Sequence, residues 1–234
     1  MKRFIVGLMG LMLFSLVWSK DFIPPKAYLH RDTIQAELDR LFPDIPKYNY
    51  IPALIEHESC LSLTHSRCWT STSQLKSKRE LGVGLGQVTK AFNEDGTIRF
   101  DTLLEMRNKY RLELNGVNWD NIYQRPDAQI RIIVLMTRDN YKKLYDVDDP
   151  FQRLAMSDVA YNGGFGGLQK ERRQCSLTKG CNASIWFGHV EKYCLKSKKI
   201  LYGNRSACDI SRNHPIDILL TRTPKYERMG YFTN

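Results

Sequence analysis

Residues 51–59 read IPALIEHES, an apolar run that ends in two carboxylates. Because proline is well tolerated in the first turn of a helix, Pro52 predicts a helix that begins close to residue 50. At about 100° per residue, the isoleucines and the leucine of this run share one apolar stripe, and Glu58 falls near its centre. Glu56 lies about 160° away around the helix axis, so we expect it to face solvent. The helix therefore carries one inward and one outward carboxylate.

Glu58 is the residue of this run that points to chemistry. A carboxylate on the inward face of a helix is unfavourable unless it is paired, because burial favours the protonated acid. A glutamic acid that stays protonated near neutral pH is what general acid catalysis requires. Two interpretations stay open: Glu58 is a general acid in a cleft, or it is a structural carboxylate that meets a buried arginine or solvent at the helix end.

The chain around this run is predicted to be mainly α-helical. Apolar residues at helical spacing, with prolines at the expected starts, predict helices over approximately residues 33–42, 50–59, 100–114, 126–144, 150–161 and 216–226. The alternation typical of strands is sparse. We therefore expect a mainly α fold (α+β with a small hairpin at most), the hairpin lying between about residues 70 and 100.

Composition and charge limit the class of protein. The chain has 234 residues, 42% of them hydrophobic, and a formal net charge of +10. That apolar content excludes an intrinsically disordered protein, and the length predicts a single domain. The positive charge favours a polyanionic partner. Nucleic acid is not expected, because the sequence has neither an aromatic platform typical of RNA-binding domains nor a helix-turn-helix signature.

The N-terminus predicts export. Lys2 and Arg3 precede an uncharged run over residues 4–18, which is shorter than the roughly 20 residues of a membrane-spanning helix. This pattern is typical of a secretory signal peptide over residues 1–19, with cleavage after Ser19. The alternatives are an uncleaved signal anchor, which engages the membrane transiently, and a buried N-terminal helix. We expect residues 20–234 to be exported to the periplasm or the extracellular space.

All six cysteines follow that segment, namely Cys60, Cys68, Cys175, Cys181, Cys194 and Cys208. An even number in an exported chain predicts disulfides, and the short separations favour pairing in sequence order. The alternative is a zinc site formed by His57, Cys60, His65 and Cys68. The loop between these two ligand pairs is tighter than is usual for zinc, and we expect no metal or cofactor.

Three short motifs, in order along the chain, give a resemblance to a known family. The motifs are Glu58-Ser59, Gly84-Leu85-Gly86-Gln87 and Ala160-Tyr161-Asn162-Gly163-Gly164. They resemble the motifs of the soluble lytic transglycosylases, which share the lysozyme-like fold with goose-type lysozymes, and they cover roughly residues 45–170. The chain departs from the family pattern at Gly86, where methionine is usual, at Gly163, where alanine is usual, and in an extra loop over residues 60–80.

The resemblance implies a role for each matched position. Glu58 would protonate the glycosidic oxygen between N-acetylmuramic acid and N-acetylglucosamine and would then take the proton of the C6 hydroxyl, which closes a 1,6-anhydro ring. The remaining positions would bind substrate: Ser59, Gly84, Leu85, Gly86, Gln87, Tyr161 and Asn162. Tyr161 would also contact Glu58; the alternative is a plain tyrosine of the core. Residues 163–167 (GGFGG) would form a turn that lets the backbone approach a ligand.

Asp158 is a further candidate, because it lies on the inner stripe of its predicted helix. It is either a second catalytic carboxylate or one half of a local salt bridge. The alternative functions are a hydrolytic muramidase of the goose type, a non-catalytic cell-wall-binding protein and a zinc-stabilised structural module. The basic extension over residues 171–234 favours a monomeric phage endolysin over a bacterial enzyme that opens the wall for a secretion or conjugation apparatus.

Overall fold

The computed structural model describes residues 22–233, so the predicted signal segment over residues 1–19 lies outside the described part of the chain. The mainly α-helical prediction is confirmed. The helices are α1 (Pro25–Tyr28), α2 (Arg31–Leu41), α3 (Tyr50–Ser59), α4 (Thr102–Lys109), α5 (Pro126–Lys143), α6 (Pro150–Gly163), α7 (Phe165–Ser176), α8 (Ala207–Pro215) and α9 (Thr223–Arg228). Two 3₁₀ turns, Ile122–Gln124 and Val190–Lys192, lie between them.

The β component is larger than the single hairpin that we expected. Four short strands form one antiparallel meander in chain order, namely β1 (Gln74–Lys76), β2 (Glu80–Val83), β3 (Val88–Phe92) and β4 (Ile98–Asp101). Because β1 is exposed on both faces, its sequence lacks the alternation that signals a half-buried strand. β4 occupies the start of the predicted helix over residues 100–114, and Asp101 caps α4 by accepting a hydrogen bond from the Leu104 amide at 2.9 Å.

Helix α5 separates two hydrophobic clusters. One edge of α5 packs into the larger helical cluster through Ile130, Ile133 and Val134. The other edge packs through Ile132 and Leu135 against the sheet and α4. Apolar residues on both edges explain why the sequence of α5 is apolar over most of its circumference.

The C-terminal segment covers the side of α3 that we expected to face solvent. A second antiparallel pair, β5 (Ile200–Tyr202) with β6 (Arg205–Ser206), leads into α8, whose first turn has a capping box between Ser206 and Asp209. A π-helical segment, Ile216–Arg222, follows Pro215 and joins α8 to α9. This segment and α9 both pack against α3.

Three disulfides join the six cysteines in sequence order: Cys60–Cys68, Cys175–Cys181 and Cys194–Cys208. The predicted pairing is confirmed. The first disulfide removes the two sulfur ligands on which the zinc alternative depended. Within residues 22–233, no helix has both the length and the apolar character needed to cross a bilayer.

Candidate functional site

The three sequence motifs converge on one open cleft of about 470 Å³ between the end of α3, the sheet and the end of α6. The predicted site residues that line this cleft are Glu58, Ser59, Gly86, Gln87, Tyr161 and Asn162. Residues separated by about a hundred positions in the chain therefore meet at one surface. Gly84 and Leu85 are buried behind the cleft wall, and Asp158 is buried below the floor.

Glu58 lies in the last turn of α3 with 16% of its side chain exposed to the cleft. Its Oε1 atom is 3.0 Å from Nε2 of His214, and Nδ1 of the same imidazole is 2.6 Å from Oδ2 of Asp158. Asp158 also accepts a hydrogen bond from the Tyr50 hydroxyl at 2.8 Å. The cleft carboxylate is thus the exposed end of a hydrogen-bonded chain that continues into the core.

His214 is the positively charged member of this hydrogen-bonded chain. Its burial by itself lowers its pKa, but the charges and hydrogen bonds of Asp158 and Glu58 outweigh burial and raise the pKa to about 10. The ring is therefore an imidazolium at neutral pH and donates from both nitrogens. From the sequence, we expected only desolvation to act on the Glu58 carboxyl group. The structure also places a buried cation, His214, against it.

Asp158 does not reach the cleft. Its side chain is fully buried between Tyr50 and His214, which satisfy its oxygens. The prediction of an inward-facing carboxylate is confirmed. Of the two interpretations given for it, the structure agrees with the ion pair, although the partner comes from α8 and is not local. A direct catalytic role for Asp158 does not fit this position, because a fully buried group cannot touch substrate.

The Gly84–Gln87 turn is shaped by close backbone approaches. Gly84 has a φ of +75°, and a Cβ atom there would lie 2.1 Å from Oε1 of Gln129. That same oxygen accepts the Leu85 amide at 2.9 Å. Gly84 and Leu85, predicted to bind substrate, instead anchor the turn to α5, and the cleft wall begins at Gly86.

The packing around Gly86 explains why this position has glycine and not the methionine that is usual in the family pattern. A Cβ atom at this position would lie 2.4 Å from Cγ1 of Ile133 and 2.7 Å from the Tyr161 hydroxyl. The Tyr161 hydroxyl donates to the Gly86 carbonyl at 2.8 Å. The Tyr161 hydroxyl therefore joins α6 to the turn, and within residues 22–233 it makes no hydrogen bond to Glu58, although the Glu58 charge acts on it. Burial, followed by the charges of Glu58 and Asp158, raises the pKa of Tyr161 well above its ordinary value.

Gln87 has the features of a substrate-binding side chain. Its backbone adopts the left-handed conformation with a φ of 47°, which is uncommon for residues other than glycine and is frequent at functional sites. Its Nε2 atom donates to the Gly84 carbonyl at 3.0 Å. Within the described chain its Oε1 atom is buried without a hydrogen-bond partner, so it can accept from a ligand N–H or O–H at the cleft.

Ser59 lines the cleft, but its hydroxyl is used inside the protein. The Oγ atom donates to the Ile55 carbonyl at 2.7 Å and accepts the Trp69 amide at 3.2 Å. It ties the extra loop to α3 instead of presenting a free hydroxyl to a ligand.

The glycine turn predicted over residues 163–167 is shorter than expected. Gly163 ends α6, Gly164 has a φ of +81°, and the following glycines belong to α7.

Glu56 is buried, and the prediction that it faces solvent is wrong. Only 1% of its side chain is exposed, and it accepts hydrogen bonds from Arg222 at 2.5 Å, Lys225 at 2.6 Å and Tyr226 at 2.7 Å. The helical phase was sound, but the C-terminal segment covers this side of α3. Helical periodicity identifies two sides of a helix and does not tell whether a distant segment covers the second.

No sequence pattern pointed directly to His214. It lies 156 residues after Glu58 and outside the region of family resemblance. The one indirect signal was Asp158, because an inward carboxylate requires a partner. Glu80 was also missed: it lies at the start of β2 and is the other carboxylate that lines the cleft among the described residues.

Comparison with known proteins gives no match. No protein-family model matches the chain, and neither a curated protein nor a solved structure matches it. The motif resemblance and the geometry of the cleft are therefore the basis for a functional proposal. Chemically, the cleft offers one carboxyl group supported by a buried cation, an unpaired amide oxygen and a wall formed by backbone.

Proposed function

We propose that the protein cleaves peptidoglycan as a lytic transglycosylase. The bond cut is the β-1,4 linkage between N-acetylmuramic acid and N-acetylglucosamine, and the product is a 1,6-anhydro-muramoyl end. The observation that carries the proposal is the position of Glu58: it is partly exposed in a cleft beside Gln87 and Asn162, and it contacts a buried imidazolium. The three motifs add the resemblance to a family with a lysozyme-like fold.

The reaction needs one residue that is first an acid and then a base. In its protonated form Glu58 gives a proton to the glycosidic oxygen while the bond from that oxygen to C1 of the muramoyl sugar breaks. The acetamido group of the substrate stabilises the cationic centre at C1. The Glu58 carboxylate then takes the proton of the C6 hydroxyl, and the C6 oxygen bonds to C1. No water is consumed, so no second carboxylate is required to activate one.

His214 assists the middle of this sequence. Between the two proton transfers Glu58 is a carboxylate, and the Nε2–H of His214 donates to its Oε1 atom. A hydrogen bond from a charged donor is stronger than one between neutral groups. Asp158 keeps the imidazole charged and fixes its orientation through Nδ1. The Oε2 atom of Glu58 is then the oxygen that exchanges a proton with substrate.

A hydrolytic muramidase is the second candidate, and Glu80 is the observation that favours it. A carboxylate across the cleft from the acid is what an inverting glycosidase uses to activate water. Glu80 lines the same cleft as Glu58 from the sheet side. If Glu80 activates water, Glu80→Gln would abolish hydrolysis, whereas transglycosylation by Glu58 alone would continue.

Export of the chain and the identity of the polymer are parts of the same proposal. The three disulfides fit an oxidising compartment, and the net charge of +10 suits an anionic wall. A monomeric endolysin of a phage is the assignment that we favour. A non-catalytic wall-binding protein is the remaining alternative, and a cleft with an exposed Glu58 argues against it.

Mass spectrometry of digested murein tests this proposal. Purified peptidoglycan is incubated with the wild-type protein and with Glu58→Gln, and the soluble fragments are weighed. We expect fragments from the wild type that are lighter by one water than hydrolysed muropeptides, and none from the variant. Fragments that all carry the extra water would make the protein a muramidase. An absence of fragments with the wild type would contradict both candidates.

A further inference from the structure

Lys196 is a cation of the cleft that the steps above do not use. It lies in the loop closed by the Cys194–Cys208 disulfide, and its partly buried side chain lines the same cleft as Glu58 and Asn162. Its ammonium group rests against the end of α6. A Cβ atom on Gly163 would lie 1.8 Å from Nζ of Lys196, so the glycine leaves the space that the ammonium occupies. Alanine at this position would require the flexible end of Lys196 to move.

The Lys196 ammonium has no counter-ion of its own. Within residues 22–233 it makes neither a hydrogen bond nor an ion pair. The nearby carboxylate of Glu171 is already engaged, because it accepts from Arg212 at 2.9 Å and from the Leu195 amide at 3.1 Å. Burial lowers the pKa of Lys196 below its ordinary value. A ligand that brings an anion stabilises a partly desolvated cation that has no protein partner.

We propose that Lys196 is a binding site for a carboxylate on the muramoyl substituent of peptidoglycan. This inference rests on the proposed function. The glycan backbone consists of neutral hydroxyl and acetamido groups, so the carboxylates of this substrate lie on the peptide stems. Where a stem has been removed, a carboxylate is left on the lactyl group. Lys196 would therefore distinguish muramoyl polymers from neutral amino-sugar polymers such as chitin.

The other cation of the cleft is less suited to this task. Arg67 is exposed and lies in the extra loop, where its guanidinium donates to the Gln74 carbonyl at 3.4 Å. It is hydrated and has a protein partner, whereas Lys196 has lost part of its hydration. A desolvated cation gains more from a ligand carboxylate than a hydrated one does.

Binding to peptidoglycan before and after neutralisation of its carboxylates tests the inference. The binding protein carries Glu58→Gln, so that turnover does not interfere, and the neutral polymer is the same peptidoglycan coupled to methylamine with a carbodiimide. We expect about tenfold tighter binding to the untreated polymer, which is the scale of one charge-assisted hydrogen bond. Lys196→Gln should remove most of this difference, and the remainder is the long-range attraction between the positively charged protein and the polymer. Lys198→Gln is the matched control, because it removes the same charge from an exposed position of the same loop.

Gly163→Ala provides a second variant that leaves the lysine in the sequence. The new methyl group would displace the ammonium, so the preference for the untreated polymer should fall as in Lys196→Gln. Alanine is favoured over glycine in a helix, so the melting temperature should hold or rise. A lost preference in a protein that is at least as stable excludes misfolding as the cause.

The source of the carboxylate is read from two further polymers. Glycan strands that keep their stems carry stem carboxylates, and strands treated with an amidase carry lactyl carboxylates. A Lys196-dependent preference for either over its methylamide supports the inference and identifies the source. The inference is overturned if Lys196→Gln keeps the full preference, if Lys198→Gln loses it equally, or if only Arg67→Gln loses it. These results do not depend on cleavage, so a failure of the proposed reaction would be seen separately in the murein digest.

Discussion

The two carboxylates of α3 differ in their partners more than in their burial. Glu56 lies on the side covered by the C-terminal segment, where Arg222, Lys225 and Tyr226 satisfy both of its oxygens. Among residues 22–233, Glu58 has one hydrogen-bond donor, His214, and an open cleft on its other side. A buried carboxylate that is fully paired has no capacity left for a substrate. The comparison shows that unused hydrogen-bonding capacity beside a cavity, and not burial alone, marks a candidate catalytic acid.

The largest expected effect is the loss of activity in Glu58→Gln. The substitution keeps the shape of the side chain and removes the transferable proton. General acid–base catalysis contributes about 100- to 10,000-fold to a rate, so solubilisation of purified peptidoglycan should fall by at least that factor. Circular dichroism should show an unchanged fold. A variant that keeps more than a tenth of the activity would remove Glu58 from the mechanism.

Glu56→Gln should produce the opposite result. It leaves Lys225 as a buried cation without its carboxylate, whereas Arg222 keeps Asp217 at 2.6 Å, and breaking a buried pair in this way costs about 3–5 kcal/mol. We expect a large loss of unfolding free energy, measured by urea denaturation. The molecules that stay folded should keep the specific activity of the wild type within about threefold.

The pair of variants decides whether α3 has one functional carboxylate or two. If Glu56→Gln is as stable as the wild type but inactive, then the buried network serves catalysis and the comparison between the two sides of α3 fails.

His214→Gln should change how stability depends on pH. The folded-state pKa of His214 is raised to about 10 from an ordinary 6.5, so its contribution is fully present below about pH 6.5 and is lost as the pH rises through 10. The groups that face the ring are Asp158 on α6 and, on α3, Glu58 and His57, whose ring centroid is 4.5 Å away. We expect the unfolding free energy of the wild type to fall across this range and that of the variant to stay flatter.

An activity measurement provides a second test of the same variant. Without the imidazolium, the Glu58 carboxylate loses its charged hydrogen-bond donor between the two proton transfers, so solubilisation of peptidoglycan should fall by about tenfold or more. His189→Gln is the control, because within residues 22–233 its imidazole accepts the Asn182 amide and is hydrogen-bonded to neither Glu58 nor Asp158. Equal losses in both histidine variants would show that the effect is not specific to the chain from Glu58 to Asp158.

The smallest expected effect concerns Asp217, the carboxylate that pairs with His57 on the covered side of α3. Burial raises its pKa, but hydrogen bonds from His57 and Arg222 outweigh burial and lower the pKa to about 2. Its stabilising contribution is therefore present above about pH 4 and is lost as the pH falls through 2. Thermal unfolding between pH 2 and 5 should show a shallower pH dependence in Asp217→Asn. An unchanged dependence would mean that other carboxylates control the acid limb.

Local pattern predicted six helical segments and the disulfides, whereas α1, α7 and α8 were not predicted. Long-range packing accounts for most of the errors at the site. Pro52, Pro126 and Pro150 each lie in the first turn of a predicted helix. Proline predicts a helix start because it lacks a backbone N–H and its φ is already helical. The four-stranded sheet was underestimated, because its strands have three to five residues and exposed faces. Strands of that kind carry little periodicity for a sequence to reveal.

The candidate site was predictable only where its residues lie in the three motifs. Glu58, Gln87 and Asn162 could be named because each belongs to a short pattern of a known family. His214 and Lys196 could not, because each gains meaning only from a contact with a residue far away in the chain. The same reason explains the error at Glu56, whose partners come from α9 and the π-helical segment.

The position of residues 207–228 determines when the site is complete. During synthesis α3 emerges early, whereas His214, Arg222 and Lys225 are added some 150 residues later. Until then both carboxylates of α3 lack their cationic partners, and neither the cleft nor the covered face has its final charge. In a ribosome-bound or partly exported chain, Glu58 would therefore lack its hydrogen-bond donor His214. Under the proposed function, a producing cell would be exposed to wall cleavage only after the last helices had docked.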